Sequence, residues 1–153
     1  MVKVLMVCLG NICRSPLAEG ILKSKVKHSE VYIDSAGPGG YHIGELPDKR
    51  SIEIARINRI DITDQVCRKF TREDFDAFDL IYVMDKSNLA DVLSLARNEP
   101  DREKVKLILD ELHPGASMEV PDPYFGGGSG FKAVYDMLDA ACDEIVNKLR
   151  DER

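Results

Sequence analysis

Short apolar runs alternating with stretches of helical spacing constrain this chain more than any other feature. Val2 to Val7 is Val, Leu and Met interrupted only by Lys3. A continuous run of that length suits a strand buried on both faces of a parallel sheet. Val31 to Ile33, Leu80 to Met84 and Val105 to Leu109 repeat the pattern. Between and after them come helical stretches. Leu17, Ile21, Leu22 and Val26 share one face, residues 49–58 and 87–97 read as helices, and Thr71 with Asp74 makes a variant capping box. Apolar residues at 131, 134, 135, 138, 141, 142, 145 and 149 give the last helix a stripe of period 3.6. The alternation predicts an α/β fold: a four-stranded parallel twisted sheet with helices on both faces. With 153 residues and neither a linker nor a repeat, the expectation is a single domain over 1–153.

In such sheets ligands bind beyond the carboxyl ends of the strands. The loops after the first, second and fourth strands are therefore the places to look. The first loop, Cys8 to Ser15 (CLGNICRS), joins a strand to a helix that Pro16 opens, with Ser15 read as its N-cap. Backbone N–H groups in a loop so placed can converge on one point, where the helix dipole adds positive charge. Cys8 stands at the start of the loop and Arg14 at its end. If the loop curls, the sulfur lies at the base and the guanidinium fork closes the rim around a tetrahedral oxyanion. The same field favours a thiolate, so Cys8 becomes a nucleophile beneath a bound phosphate. Ser15 is near enough to steady that sulfur, and Asn11 tolerates the left-handed backbone a tight loop needs. Cys13 is either a resolving thiol for oxidised Cys8 or a packed cysteine that never reacts. The glycine and lysine pattern of a Walker A loop is absent.

Phosphate ester cleavage also needs a general acid. Asp122, between Pro121 and Pro123, falls in the loop after the fourth strand, at the same sheet edge as Cys8. It is either that acid or a turn aspartate of the common Asp-Pro kind. Tyr124 and Phe125 could wall a slot for a flat ring, and glycines 126–128 could be a hinge beside the acid.

Charge and composition limit the partners. The net charge of −6 argues against non-specific nucleic-acid binding, which wants a basic face. Four cysteines at 8, 13, 67 and 142 fit neither a disulfide framework nor two metal half-sites, and the three histidines are scattered. The apolar runs are too short for a membrane span. The expectation is a cytoplasmic monomer with free thiols, no metal and no cofactor.

Taken together, these residues resemble the low-molecular-weight protein tyrosine phosphatases. VCLGNICRSPLAE at 7–19 is similar to the nucleophile loop of that family, and DSAG at 34–37, MDKSN at 84–88 and DPYFGG at 122–127 follow in its order. The resemblance implies phosphotyrosine hydrolysis in proteins, redox-regulated and inhibited by phosphate and related oxyanions. It casts Cys8 as the residue that carries a phosphocysteine, Arg14 as the phosphate clamp and Asp122 as general acid and base. The phosphate loop would comprise Leu9, Gly10, Asn11, Ile12, Cys13 and Ser15. Leu9, Ile12, Tyr41 and Tyr124 would wall the substrate slot, and Asn11, Ser15 and Ser35 would support the loop. Asp85 and Asn88 are further family landmarks. Two positions depart from the pattern: Gln65 stands where relatives often carry a histidine of the supporting network, and Tyr41 where many have tryptophan. The first leaves that network weaker or rebuilt through Gln65.

Two enzymes of the same fold compete with this reading. Arsenate reductases use further cysteines, and none lies between 68 and 141 here. Phosphoarginine phosphatases resemble the chain except for threonine where Ile12 stands. A non-catalytic phosphate-binding module would not need both Cys8 and Asp122.

Overall fold

The computed structural model describes residues 1–125 and 129–151. Its four strands are β1 (Val2–Val7), β2 (Val31–Ala36), β3 (Leu80–Val83) and β4 (Val105–Leu107), all parallel, in the order β2-β1-β3-β4. Six α-helices connect and flank them: α1 (Arg14–Lys25), α2 (Lys49–Ile57), α3 (Glu73–Ala77), α4 (Lys86–Leu93), α5 (Glu99–Glu103) and α6 (Ser129–Asp151).

The continuous apolar run of β1 serves two cores at once. Val4 and Met6 face one layer with α1 and α6, while Leu5 and Val7 face another with α3 and α4. Successive side chains of a strand point to opposite faces, so both must be apolar where both are covered. β3 does the same, with Tyr82 on one side and Ile81 and Val83 on the other. Every residue of the expected stripe on the last helix is buried. No helix of the described residues is long and apolar enough to cross a membrane.

The structure departs from the sequence reading in several places. β2 runs on to Ala36 because its register with β1 continues to Val7. α4 stops at Leu93, short of Arg97, whose guanidinium instead pairs with Asp76 and Asp101. β4 ends at Leu107, where a 3₁₀ turn begins. α5 has no apolar periodicity and was not foreseen; the Asn98 side chain caps it by accepting from Asp101 N. Ser15 does not cap α1. The cap position is Cys13, with no side-chain bond, and the Ser15 hydroxyl turns inward to Cys8. Only half of the Thr71–Asp74 capping box forms: the Asp74 carboxylate accepts from Thr71 N at 2.9 Å, but the cap position of α3 is Arg72, with no side-chain cap bond.

The segment after β2 lies directly on the loop after β1. Gly39 N donates to Leu9 O at 2.9 Å. A Cβ on Gly37 would stand 2.6 Å from both Cys8 O and Leu9 O, so only glycine fits there. Gly37→Ala should cost about 1–3 kcal/mol of stability through overpacking and reduce activity. Urea denaturation and steady-state assays of the variant check both; an unchanged midpoint would show that the two loops can separate freely.

Candidate active site

The loop between β1 and α1 reverses within a few residues, and Asn11 supplies the reversal with φ of 56°. Its side chain then holds the turn from inside. Nδ2 donates to Ser15 Oγ at 2.8 Å and to Ser35 Oγ at 2.9 Å, while Oδ1 accepts from Arg68 N at 3.0 Å. The Asn11 carbonyl takes the Cys67 thiol at 2.8 Å. Among the described residues, the backbone N–H groups of Leu9 to Cys13 meet no acceptor. Successive backbone donors left without acceptors in a tight turn make an anion-binding concavity.

Cys8 is 3% exposed at the base of this cradle. Its sulfur lies 3.0 Å from Ser15 Oγ and accepts from Ser15 N at 3.3 Å. Arg14 is 2% exposed and divides its guanidinium. Nη1 is fixed by Asp85 Oδ2 at 2.7 Å and Val120 O at 2.9 Å. Nε is buried without a partner, and Nη2 lies 3.7 Å from Asp122 Oδ2. The Nε–Nη2 edge is therefore the one that can grip two oxygens of a tetrahedral anion. Asp85 does two jobs, because its other oxygen caps α4 through Asn88 N at 2.7 Å. Asn88 itself is buried, with Oδ1 unpartnered.

Above the cradle opens a cleft of about 300 Å³ lined by Leu9, Ile12, Tyr41, Asp122 and Tyr124, with Cys8 and Arg14 below. These are the residues expected there. His42 lines it too, which sequence reasoning missed. Asp122 Oδ1 accepts from Tyr124 N at 3.0 Å, a turn that presents the carboxylate at the rim. Phe125's side chain and glycines 126–128, read above as wall and hinge, lie outside the described residues.

A second unforeseen residue ties the acid loop down. Asp48 N donates to Ile12 O at 2.8 Å, and the Asp48 carboxylate accepts from Arg50 N, Nε and Nη2. Arg50 Nη2 also donates to Tyr124 O at 3.1 Å, and its guanidinium sits 5.5 Å from the Tyr124 ring and 4.7 Å from that of Phe131. The phosphate loop, the start of α2 and the acid loop are thus strapped together.

The supporting network holds Asn11, Ser15 and Ser35, as expected, but Gln65 does not join it. Gln65 Nε2 donates to Pro16 O at 3.0 Å and Oε1 has no partner. The chain of bonds passes instead from Ser35 Oγ to Glu19 Oε1 at 2.7 Å.

The four cysteines are free and buried. Burial pushes the Cys13 thiol up to about 12, helped by Asp48, and pushes Cys67 up to about 11. Cys142 is pushed up by burial as well.

A loop that holds a tetrahedral oxyanion against a sulfur atom, at the carboxyl edge of a small parallel sheet, sets this chain among the α/β proteins that handle phosphate-like anions through a cysteine. Known proteins narrow that class. The sequence model for the family described as low molecular weight phosphotyrosine protein phosphatase matches residues 3–153. The phosphatase of that name from Schizosaccharomyces pombe is 41% identical over 142 residues, covering 90% of each chain. The protein tyrosine phosphatase of Entamoeba histolytica, solved with Hepes in its active site, superposes with a TM-score of 0.92 at 35% identity, covering 99% of each chain. The YwlE arginine phosphatase, solved with a phosphorylated active-site serine in place of cysteine, gives 0.88 at 25% identity, covering 99% of this chain and 98% of its own. The chain belongs to the low molecular weight phosphotyrosine protein phosphatase family.

With Cys13, Cys67 and Cys142 held protonated by burial, a thiol reagent at neutral pH should modify Cys8 first, and phosphate should protect it. Peptide mapping after limited alkylation checks this; labelling of Cys13 ahead of Cys8 would contradict it.

Proposed function

We propose that the protein, working as a cytoplasmic monomer, hydrolyses phosphotyrosine in proteins, and aryl phosphates generally, without a metal ion. The observation that carries this reading is the buried Cys8 sulfur beneath unpartnered N–H donors and the Nε–Nη2 edge of Arg14, whose Nε has no partner. Cys8 attacks phosphorus in line, and the aryl oxygen leaves with the bonding pair and takes a proton from Asp122. The loop donors and Arg14 hold the three equatorial oxygens, where charge spreads in the transition state. Water then attacks the phosphocysteine, its proton passes to the Asp122 carboxylate, and Cys8 departs as thiolate with phosphate released. Ser15 donates to that sulfur as it leaves.

Ring selectivity follows from the walls. Ile12, Tyr41 and Tyr124 offer apolar surface to an aryl group. At position 12 the chain has no hydroxyl to meet a guanidino group, which separates it from arginine-directed enzymes of this fold. Phosphate release in EDTA from a phosphotyrosine peptide should be lost in Cys8→Ser. It should exceed release from phosphoarginine; the reverse order would overturn the substrate class. Asp122→Ala should slow phosphotyrosine hydrolysis by roughly 10²–10³-fold and recover as the leaving group improves.

Arg50 extends the prediction. Because it straps the acid loop, Arg50→Met should lower the rate on poor leaving groups by roughly ten- to a hundredfold and spare activated aryl phosphates. An equal loss on both would assign it a purely structural role.

Cys13 belongs to the same proposal as the redox partner of Cys8. Peroxide converts the Cys8 thiolate to a sulfenic acid, and Cys13 gives up its proton and attacks that sulfur, with water leaving and a disulfide forming. Since burial holds the Cys13 thiol near 12, ring closure should quicken as pH rises. Thiol rescue after peroxide should be lost in Cys13→Ser; full rescue of that variant would refute the partner role.

A further inference from the structure

The hydrogen-bond chain behind Cys8 ends on an ion pair that the mechanism above does not use. Glu19 lies on α1, 3% exposed, and its carboxylate accepts from Ser35 Oγ at 2.7 Å. Lys23, one turn further along α1, donates to the other oxygen. A glutamate followed by lysine four residues on is the favoured order for such a pair on a helix. Lys23 reaches it from a surface cleft, its side chain 31% exposed.

Donor accounting gives the chain a direction. Asn11 Nδ2 carries two hydrogens and has two acceptors, Ser15 Oγ and Ser35 Oγ. Each serine oxygen therefore accepts from Asn11 and has its own proton to place. Ser35 places it on Glu19. Ser15 is left with Cys8, 3.0 Å away. Ser35 keeps that placement while Glu19 is a pure acceptor, which requires a carboxylate. Burial holds the Glu19 carboxyl above its usual range, and the bonds from Lys23 and Ser35 offset part of that rise.

We infer that Glu19 and Lys23 form a positioning pair: Lys23 balances the buried Glu19 charge, and Glu19 anchors the Ser35 hydroxyl against which the Asn11 amide, and through it Ser15, is set beneath Cys8. Without Lys23, Glu19 has two courses. If it keeps its charge, an uncompensated buried anion opposes the thiolate through a short hydrogen-bonded path. If it takes a proton, Ser35 loses the acceptor that fixes its hydroxyl, and the Asn11 amide that holds Ser15 loses a fixed partner. Both courses disfavour the Cys8 thiolate. Few other charges share this corner. Asp34 on β2 is paired with Arg68 at 3.0 Å, and Asp64 and His28 line the same cleft as Lys23. Gln65, also in that cleft, gives its amide to Pro16 O and supplies no charge.

The inference deepens the proposed function, but its test does not require turnover. The readout is the rate of Cys8 alkylation by iodoacetate against pH, in the full chain, for wild type, Lys23→Met and Lys23→Arg. Lys23→Met should move the midpoint upward by about half a pH unit or more, and the acid limb of kcat/KM should follow with KM little changed. Lys23→Arg should restore both. A midpoint that is unchanged or lowered in Lys23→Met overturns the inference, as does a shift that arginine fails to restore. Should Lys23→Met fold poorly by circular dichroism, Lys23→Gln takes its place, and an unchanged or lowered midpoint there overturns the inference. A shifted midpoint in a protein with no phosphatase activity would uphold the positioning pair and refute the proposed function.

Discussion

A row of backbone N–H groups without protein acceptors, from Leu9 to Cys13, is what the remainder of the site is arranged to permit. Backbone donors left unpaired are costly, and a loop left to itself would close on its own carbonyls. Three separate segments prevent this. Asn11 holds the left-handed turn with its own side chain, and Arg68 N holds Asn11. Cys67 takes the Asn11 carbonyl, Asp48 N takes that of Ile12, and Gly39 N takes that of Leu9. Each of these removes a carbonyl that the loop amides could otherwise have used. Because the contributing segments are far apart in sequence, the anion site forms only when the whole sheet and its covering loops have assembled.

Arg14 links this cradle to the other side of the cleft. One nitrogen is committed to Asp85 and Val120 O, which lie at the end of β3 and in the loop leading to Asp122. Val120 N in turn donates to Met84 O at 2.8 Å. The guanidinium is thereby held rigid by one edge while the other faces the cleft. A chain of net charge −6 can in this way present local positive potential to an anion. The buried Arg14 charge has Asp85 as a close partner, as a buried charge requires.

Much of this was legible before any coordinates. The strands were readable because apolar runs without alternation have few other uses, and α6 because its stripe is long. Cys8 and Arg14 stood out because strand, loop and helix order put both at one sheet edge; for Asp122 that order left a turn aspartate open, and the resemblance to the family cast it as the acid. Other features left no periodic signal. α5 is a polar turn held by Asn98, and α4 ends early because Arg97 has acidic partners elsewhere in the chain. Ser15 looked like a cap because position alone cannot tell which way a hydroxyl turns. Arg50 and His42 reach the site across sequence distance through a loop whose path is set by tertiary contacts. The Glu19–Lys23 pair was visible as a spacing, but its burial against Ser35 was not. At Gln65 the sequence left the network either weaker or rebuilt through that residue; its amide is drawn instead to the carbonyl of Pro16.

The most direct test of a thiol beneath an oxyanion cradle is to trap the covalent intermediate. Wild type and Asp122→Ala would be mixed with an activated aryl phosphate, quenched in acid within a turnover, and mapped by mass spectrometry. The account predicts a single phosphorylated peptide containing Cys8, accumulating in Asp122→Ala because release of phosphate needs the base. Phosphate on another residue, or complete hydrolysis by Cys8→Ser, would contradict it.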